Sequence, residues 1–465
     1  MDSMHEGRLP AWGRRGWRRW ILALGLALAA MPAAGYAQDA GSGASMSLEE
    51  AARRALAVHP RVEVAVESRA AAAHGTVRAE AERRPLLSLR GSATRYGEPM
   101  LVAPLHGLDP GAGPAFDDRL VQAAVTASYT LFDGGARGAT ITQARAAERA
   151  AGAGARIARS TVLRDVTRAY LDVLSRREVL TAHDRRLAAL DAELVRTRQL
   201  FDEGRSARIE VLRAEAERGQ AAADRVQAET RLRVATRSLA RMIGYPEAGL
   251  EPEQLRPVAL DGSALAPRAE ALAAALRSNP EVQQAREGLA AAEASVRLAA
   301  SRRRPEVKLH GGFARYGGFD ADFVGEWSAG ATLSLPLVDG GAIRAATGRA
   351  RAEAGASEAR LRLTELHVRD AIDRAAAAVE EADARVESLT ATVRQLEEVV
   401  RVERLALESG TGTQTDYLYA EASLLSARAS LAEARAAAIA ARAELAHATG
   451  ELSLDWLNHT LEMKP

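Results

Sequence analysis

Two proline-free runs, Ala136 to Phe201 and Ala342 to Leu407, set the limits on what this chain can fold into. Each is about 66 residues long, stops at a lone glycine (Gly204, Gly410) and is followed by a second helical run. As unbroken helix each would extend about 100 Å at 1.5 Å per residue. That is several times the width of an ordinary domain, so a globular core cannot bury them. They must pack against one another.

The packing seam can be read from the spacing. In the second run Val368, Ile372, Ala375, Val379, Ala382, Val386, Leu389, Val393, Leu396 and Val400 follow alternating steps of four and three. A heptad stripe sustained over that length marks supercoiled helices. The first run carries Val162, Val166, Ala169, Val173, Arg176, Leu180, His183, Leu187, Leu190 and Leu194 in the same register. Arg176 and His183 interrupt it, and read as an edge arginine with its head in water and a hydrogen-bonded seam histidine.

Composition agrees with rods. Aromatic residues make up 4% of the 465 residues while alanine and arginine abound, as close-packed long helices require. A net charge of +1 gives no reason to expect a polyanionic partner or nucleic acid. There is no cysteine, so neither a disulfide framework nor a lipid on an N-terminal cysteine is available. Arg14, Arg15, Arg18 and Arg19 precede the apolar run Ile21 to Ala30 and the small-residue stretch Gly35-Tyr36-Ala37. This is the pattern of a secretory signal over residues 1–37, too short to span a bilayer. Its removal takes away five arginines and two acids and leaves a chain near net −2. No later stretch is apolar enough for a membrane helix, so a membrane form of the mature chain cannot depend on helices.

The chain is also an internal duplication. His59-Pro60 matches Asn279-Pro280, Arg84-Pro85 matches Arg304-Pro305, and Arg95-Tyr96 matches Arg315-Tyr316 at an offset of 220. Asp133-Gly134-Gly135 matches Asp339-Gly340-Gly341, Gly204 matches Gly410, and Gly244 matches Gly450 at an offset of 206. The change of register falls between Tyr96 and Leu131, where a surface loop absorbs the insertion. The expected units are repeat 1 over 38–244 and repeat 2 over 268–450. Residues 245–267 connect them and 451–465 form a tail. Each unit reads as short helices, two strands (about 86–97 and 120–132; about 306–316 and 326–338) and a long helical hairpin (136–242; 342–449).

The strands carry a membrane signal. Leu87, Leu89, Gly91 and Ala93 alternate with Ser88, Arg90, Ser92 and Thr94, and the other three runs alternate likewise. Runs of about ten residues with period two suit strands of a transmembrane barrel, although a half-buried soluble sheet alternates in the same way. Four strands cannot close a barrel, and an open edge in lipid leaves amides unpaired. In a membrane, several chains would have to pool them: three chains give twelve strands.

Several motifs then converge. Leu56-Ala57-Val58-His59-Pro60 and Leu276-Arg277-Ser278-Asn279-Pro280 open the repeats. Leu131 to Gly135 and Leu335 to Gly341 join strand to rod, and Phe201 to Gly204 and Glu408 to Gly410 end the rods. In these motifs, in order and at two fixed offsets, the chain resembles the TolC-like outer-membrane efflux proteins over nearly all its mature length. The resemblance implies a mainly α fold with a transmembrane β part: a homotrimer with a 12-stranded β-barrel, four strands per chain, continued by a long α-helical barrel. It implies an exit duct in the outer membrane. The hairpin tips (Gly204, Arg205, Ser206; Gly410, Thr411, Gly412, Thr413) would dock a periplasmic adaptor, and an inner-membrane pump of RND or ABC type would supply energy. The strand-to-helix junctions would be Asp133, Gly134, Gly135, Asp339, Gly340 and Gly341. Glu397, Glu398, Arg401, Glu403 and Arg404 lie where the family closes its periplasmic end, but each also reads as a solvated face or an i, i+4 pair. Drug, metal or protein cargo fits equally. The rival class is a soluble periplasmic coiled-coil adaptor or structural rod, which would have no use for an apolar run like Trp327 to Leu337.

Catalytic chemistry is not indicated. The histidines have no metal-site spacing, no Gly-x-x-x-x-Gly-Lys loop occurs, and the only lysines are Lys308 and Lys464. We expect no enzyme activity and no cofactor.

Overall fold

The rods exist as single helices. A computed structural model describes residues 45–102, 116–246, 249–260, 268–319 and 323–463. The expected signal segment 1–37, and residues 103–115 of the stretch between Tyr96 and Leu131, lie outside the described residues. Repeat 1 contains α1 (Leu48–Val58), α2 (Pro60–Ala81), β1 (Leu86–Leu101), β2 (Phe116–Phe132), α3 (Ala136–Asp202) and α4 (Arg208–Met242). A connector strand β3 (Val258–Leu260) follows. Repeat 2 contains α5 (Arg268–Ser278), α6 (Pro280–Ser301), β4 (Glu306–Gly317), β5 (Val324–Ser334), α7 (Ala342–Ser409) and α8 (Gln414–Thr449). A short helix α9 (Leu454–Thr460) and strand β6 (Leu461–Met463) close the chain. The fold is mainly helical, at 72% helix, with a small antiparallel sheet.

Local chemistry sets the breaks. Pro60 and Pro280 occupy the first turns of α2 and α6, where a missing N–H costs nothing. His59 Nδ1 and Asn279 Oδ1 cap those turns by accepting from Arg61 N and Glu281 N, at 3.2 and 2.8 Å. At the other end all four long helices stop alike. Gly204, Gly244, Gly410 and Gly450 take positive φ of 73, 62, 76 and 82°. In each case the next residue's N–H reaches back to a carbonyl of the last turn: Arg205 to Leu200, Tyr245 to Ala240, Thr411 to Ala406, Glu451 to Ala446. This is the αL reversal that satisfies orphan carbonyls, and a side chain would strain it.

The helices pack α3 against α4, α6, α8 and α2, and α7 against α8 and α6. The seam of α7 is buried at Val368, Ile372, Ala375, Val379, Ala382, Val393 and Val400, and half-buried at Val386, Leu389 and Leu396. In α3 the same register buries Val162, Val166, Val173, Leu190 and Leu194. His183 departs from expectation: it is half-buried, and its Nδ1 has no hydrogen-bond partner in the protein. It borders a cleft of about 310 Å3 that α4 lines with Asp224, Gln227 and Ala228 and α8 with Glu433, Ala436 and Ala440. Arg176 borders the same cleft, half-exposed and paired with Asp172 at 2.8 Å.

The largest core joins α1, α3, α4, α8 and the connector. At its centre Tyr170 is fully buried and donates to the carbonyls of Met46 (2.9 Å) and Arg256 (2.8 Å). Arg177 adds bonds to Pro252 O and Leu255 O at 2.8 and 3.0 Å. These contacts fasten the connector to one face of α3. The tail completes that layer, because β6 pairs antiparallel with β3.

The second sheet has the order β1-β2-β4-β5, all antiparallel. Its central pairing, β2 with β4, crosses between the repeats. Beyond Arg95 the register of β1 slips and pairing resumes at Met100 with Asp117, so β1 and β2 run longer than the spacing suggested. By contrast, the strand expected over 326–338 ends at Ser334. Pro336 explains the early stop, since it has no N–H to give a ladder.

Candidate functional site

Each junction is a strand end turned into a helix start by one aspartate and two glycines. Asp133 accepts from Gly135 N (3.0 Å), Arg137 N (2.9 Å) and Arg137 Nε (2.7 Å). Gly134 and Gly135 supply φ of 66 and 96°. Burial works to raise the Asp133 pKa, but the hydrogen bonds from Arg137 and Gly135 outweigh it, and the carboxyl is held below its ordinary value. Arg137 also reaches Glu82 O (3.4 Å) and lies over the Tyr129 ring. Asp339 repeats the cap with Gly341 N (3.0 Å) and Ile343 N (2.6 Å), which lower its pKa in turn.

The two junctions differ in their surroundings. Arg304 donates to Gly134 O at 2.8 Å, and a Cβ on Gly134 would sit 2.6 Å from Arg304 Cβ. Gly340 and Gly341 have open space beside them. Asp133→Ala is expected to cost about 1–2 kcal/mol, the usual effect of deleting a helix cap. Denaturant unfolding of the purified protein measures it, and Asp339→Ala should cost less because its carboxylate holds no arginine side chain.

The tips are exposed turns. At the first, Gly204 and Arg205 are exposed and Ser206 is half-buried, with Arg205 paired to Glu203 at 3.2 Å. At the second, Thr413 caps α8 by accepting from Asp416 N (3.2 Å), and its hydroxyl donates to Asp416 Oδ2 (2.6 Å). Thr411 and Gly412 both direct their N–H groups at Ala406 O. A Cβ on Gly412 would come within 2.9 Å of Ala406 Cβ. The first tip has no side-chain cap at Ala207, so the two turns present different chemistry. Exposed apolar residues flank both: Phe201, Ile209 and Leu212 at one, Val402, Leu405 and Tyr419 at the other.

The five charged residues expected near a closure do not form one cluster. Glu397 crosses to Arg428 on α8 at 2.8 Å, and Arg404 reaches Tyr417 and Glu421 on α8 at 3.5 and 3.4 Å. Glu398 and Arg401 pair with each other along α7, and Glu403 is half-buried. The first hairpin has a comparable set of cross-helix pairs: Asp184–Arg225, Asp191–Arg218 and Arg198–Glu215. Two buried carboxylates, Asp117 and Glu193, escaped the sequence reading. Glu193, 5% exposed, accepts from Arg196 and Thr197 within its own helix.

Two histidines respond to pH. Burial, the largest cause, lowers the pKa of both His183 and His447; Arg164 pushes His447 the same way, while Asp224 partly opposes the shift at His183. His447 Nδ1 bonds Ser160 Oγ at 2.7 Å. Below the unfolded-state value of about 6.5, the unfolded chain binds protons that the folded chain refuses. Stability contributed by these groups is therefore full above that pH and declines as pH falls towards their folded values. Thermal melts between pH 7.5 and 5 should show the decline, and His447→Gln should flatten it.

Among the described residues no helix is long and apolar enough to cross a membrane, and no His, Asp or Glu group could hold a metal ion. The fold defines a class by architecture: a sheet with one apolar face, joined to very long helical hairpins. The chain belongs to the outer membrane efflux protein family, whose sequence profile matches residues 51–245 and 271–451. It is 27% identical over 230 residues to nodulation protein T of Rhizobium leguminosarum bv. trifolii, covering 46% of this chain and 47% of the relative. It is 32% identical over 232 residues to protein CyaE of Bordetella pertussis, covering 48% of each. The chain thus spans about half the length of the curated relatives it matches. Its fold is similar to the outer membrane protein VceC of Vibrio cholerae, with a TM-score of 0.72 at 19% identity, over 87% of this chain and 96% of that one. The family's channels lie in the outer membrane with a large periplasmic helical part.

Proposed function

We propose that this chain is one third of a passive exit duct: a homotrimer with a 12-stranded barrel in outer-membrane lipid and a helical tunnel beneath it. The sheet is the observation that carries this reading. Its apolar face exposes Leu87, Leu89, Phe313, Trp327 and Leu333, while Ser88, Thr126, His310 and Ser328 occupy the other. Among the described residues the outer edges of its flanking strands, β1 and β5, pair with no strand. Exposed edges are prohibitive in lipid, and pairing β5 of one copy with β1 of the next removes them all.

In this reading Gly204 to Ser206 and Gly410 to Thr413 meet a periplasmic adaptor, and a pump in the inner membrane supplies the energy. Glu397, Glu398, Arg401, Glu403 and Arg404 line the approach to the narrow end. Cargo selection depends on the pump and on the charge lining the tunnel more than on any pocket. The test is membrane fractionation followed by a gel with and without heating, joined to gene deletion. We expect an outer-membrane band that shifts from trimer to monomer on heating, and cells sensitised to exported compounds. A monomer that stays in solution without detergent would overturn the duct.

A further inference from the structure

Between α2, α3 and α6 runs a groove of about 620 Å3 whose walls are arginine-rich: Arg69 from α2, Arg149, Arg156 and Arg159 from α3, and Arg286 from α6. Two carboxylates join it, and both are engaged. Glu148 accepts from Thr76 at 2.7 Å and Glu287 pairs with Arg149 at 2.8 Å. Arg156 bonds Gln283, and Arg286 donates to Leu276 O at 2.8 Å. Among the described residues Arg69 and Arg159 have neither hydrogen bond nor ion pair, and both are exposed.

Helix packing does not require this charge, as the duplication itself shows. At the offsets that relate the repeats, Arg69, Arg149, Arg156 and Arg159 correspond to Leu289, Gly355, Arg362 and Glu365, and Gly152 on the groove floor corresponds to Glu358. The same helical scaffold is basic in one copy and slightly acidic in the other.

The groove also has a definite place. Arg149, Arg156, Leu163 and Tyr170 are spaced by seven and share one face of α3. Tyr170 on that face holds the connector, and Arg286 reaches the end of α5. The groove therefore opens on the side that carries the connector layer, away from the α3–α6–α7 surface of Gln284 and Ser357. Arg149 and Arg159 lie 13 and 23 residues into α3, about 20 and 35 Å along the helix from its start beside the sheet. A headgroup layer only about 5–8 Å deep cannot reach that far.

We infer that this groove binds peptidoglycan through the carboxylates of its stem peptides, anchoring the protein to the cell wall. Planar guanidinium groups match carboxylates with paired hydrogen bonds, and a wall polymer is the anionic material at that depth beneath an outer membrane. The inference rests on the outer-membrane placement proposed above.

The test is cosedimentation of the purified, detergent-solubilised full chain with isolated sacculi. We expect retention at low salt that falls as salt screens the groove. Retention should also be lost on sacculi whose carboxyl groups are amidated. Arg69→Glu/Arg159→Glu should bind about ten-fold more weakly, whereas Arg362→Glu, at the corresponding place in repeat 2, should bind as the parent does. Should the double reversal fail to fold, Arg69→Gln/Arg159→Gln answers the same question. No retention, equal retention by the groove variants, or transfer of binding to vesicles of anionic phospholipid would overturn the inference. None of these outcomes alters the fractionation or the export phenotype, so a duct without a wall anchor remains distinguishable.

Discussion

Replacing Tyr170 by alanine is expected to destabilise the helical part by about 3–5 kcal/mol, the range for emptying a large buried site. The ring is fully buried, and its single O–H lies within bonding distance of two carbonyls, those of Met46 and Arg256. Removing it takes one donor from Arg256 O, leaves Met46 O with only Arg256 N (3.0 Å), and leaves the connector fastened to α3 by Arg177 alone among these bonds. Tyr170→Phe separates the two contributions: it keeps the ring and should cost about 1–3 kcal/mol, the price of stranding buried acceptors. The same buried setting pushes the phenol's pKa far above its ordinary value, so the hydroxyl stays protonated at any working pH. Chemical denaturation of the two variants, followed by circular dichroism, gives both numbers. A loss under 1 kcal/mol for Tyr170→Ala would mean that the connector is held by something else.

The second large effect concerns the sheet. Val125 and Thr126 are neighbours in β2 that point to opposite faces. Val125 pairs with Leu89 and Phe313, whereas Thr126 pairs with Ser88 and Gly312. If the apolar face meets lipid, Val125→Arg should cost about 2–4 kcal/mol near the bilayer midplane, and Thr126→Arg should be nearly neutral in a wet lumen. Yield of the heat-modifiable oligomer in outer membranes reads this directly. Equal tolerance of both changes would remove the lipid-facing assignment while leaving the helices as described.

How much of this was legible in the sequence depends on the range of the interaction. Val368 to Val400 could be read because one helix repeats its own contacts every seven residues, and those positions are indeed buried or half-buried. Helix stops were equally plain, since Gly204, Gly244, Gly410 and Gly450 each meet a local conformational need. Pairings between distant segments left no such trace. Nothing in Phe116–Phe132 announces that it will lie beside Glu306–Gly317 rather than pair only within its own repeat. Nor does the tail reveal that Leu461–Met463 pairs with the connector. His183 misled for a related reason: whether a polar group on another helix comes within bonding distance is not written in its own heptad, and although Asp224, Gln227 and Glu433 line the same cleft, its Nδ1 has no protein partner. The basic groove was hidden by arithmetic. A net charge of +1 over 465 residues says nothing about five arginines drawn from three helices to one place.

The pairing of β3 with β6 has a consequence for biogenesis. Val258–Leu260 is synthesised about two hundred residues before the strand that completes it. A polypeptide halted anywhere before Leu461 therefore carries an unfinished two-stranded ribbon in its connector layer, however well its rods have formed. Truncation before Leu461 should therefore loosen the connector layer even where the helices form, because β3 is then left without its strand partner.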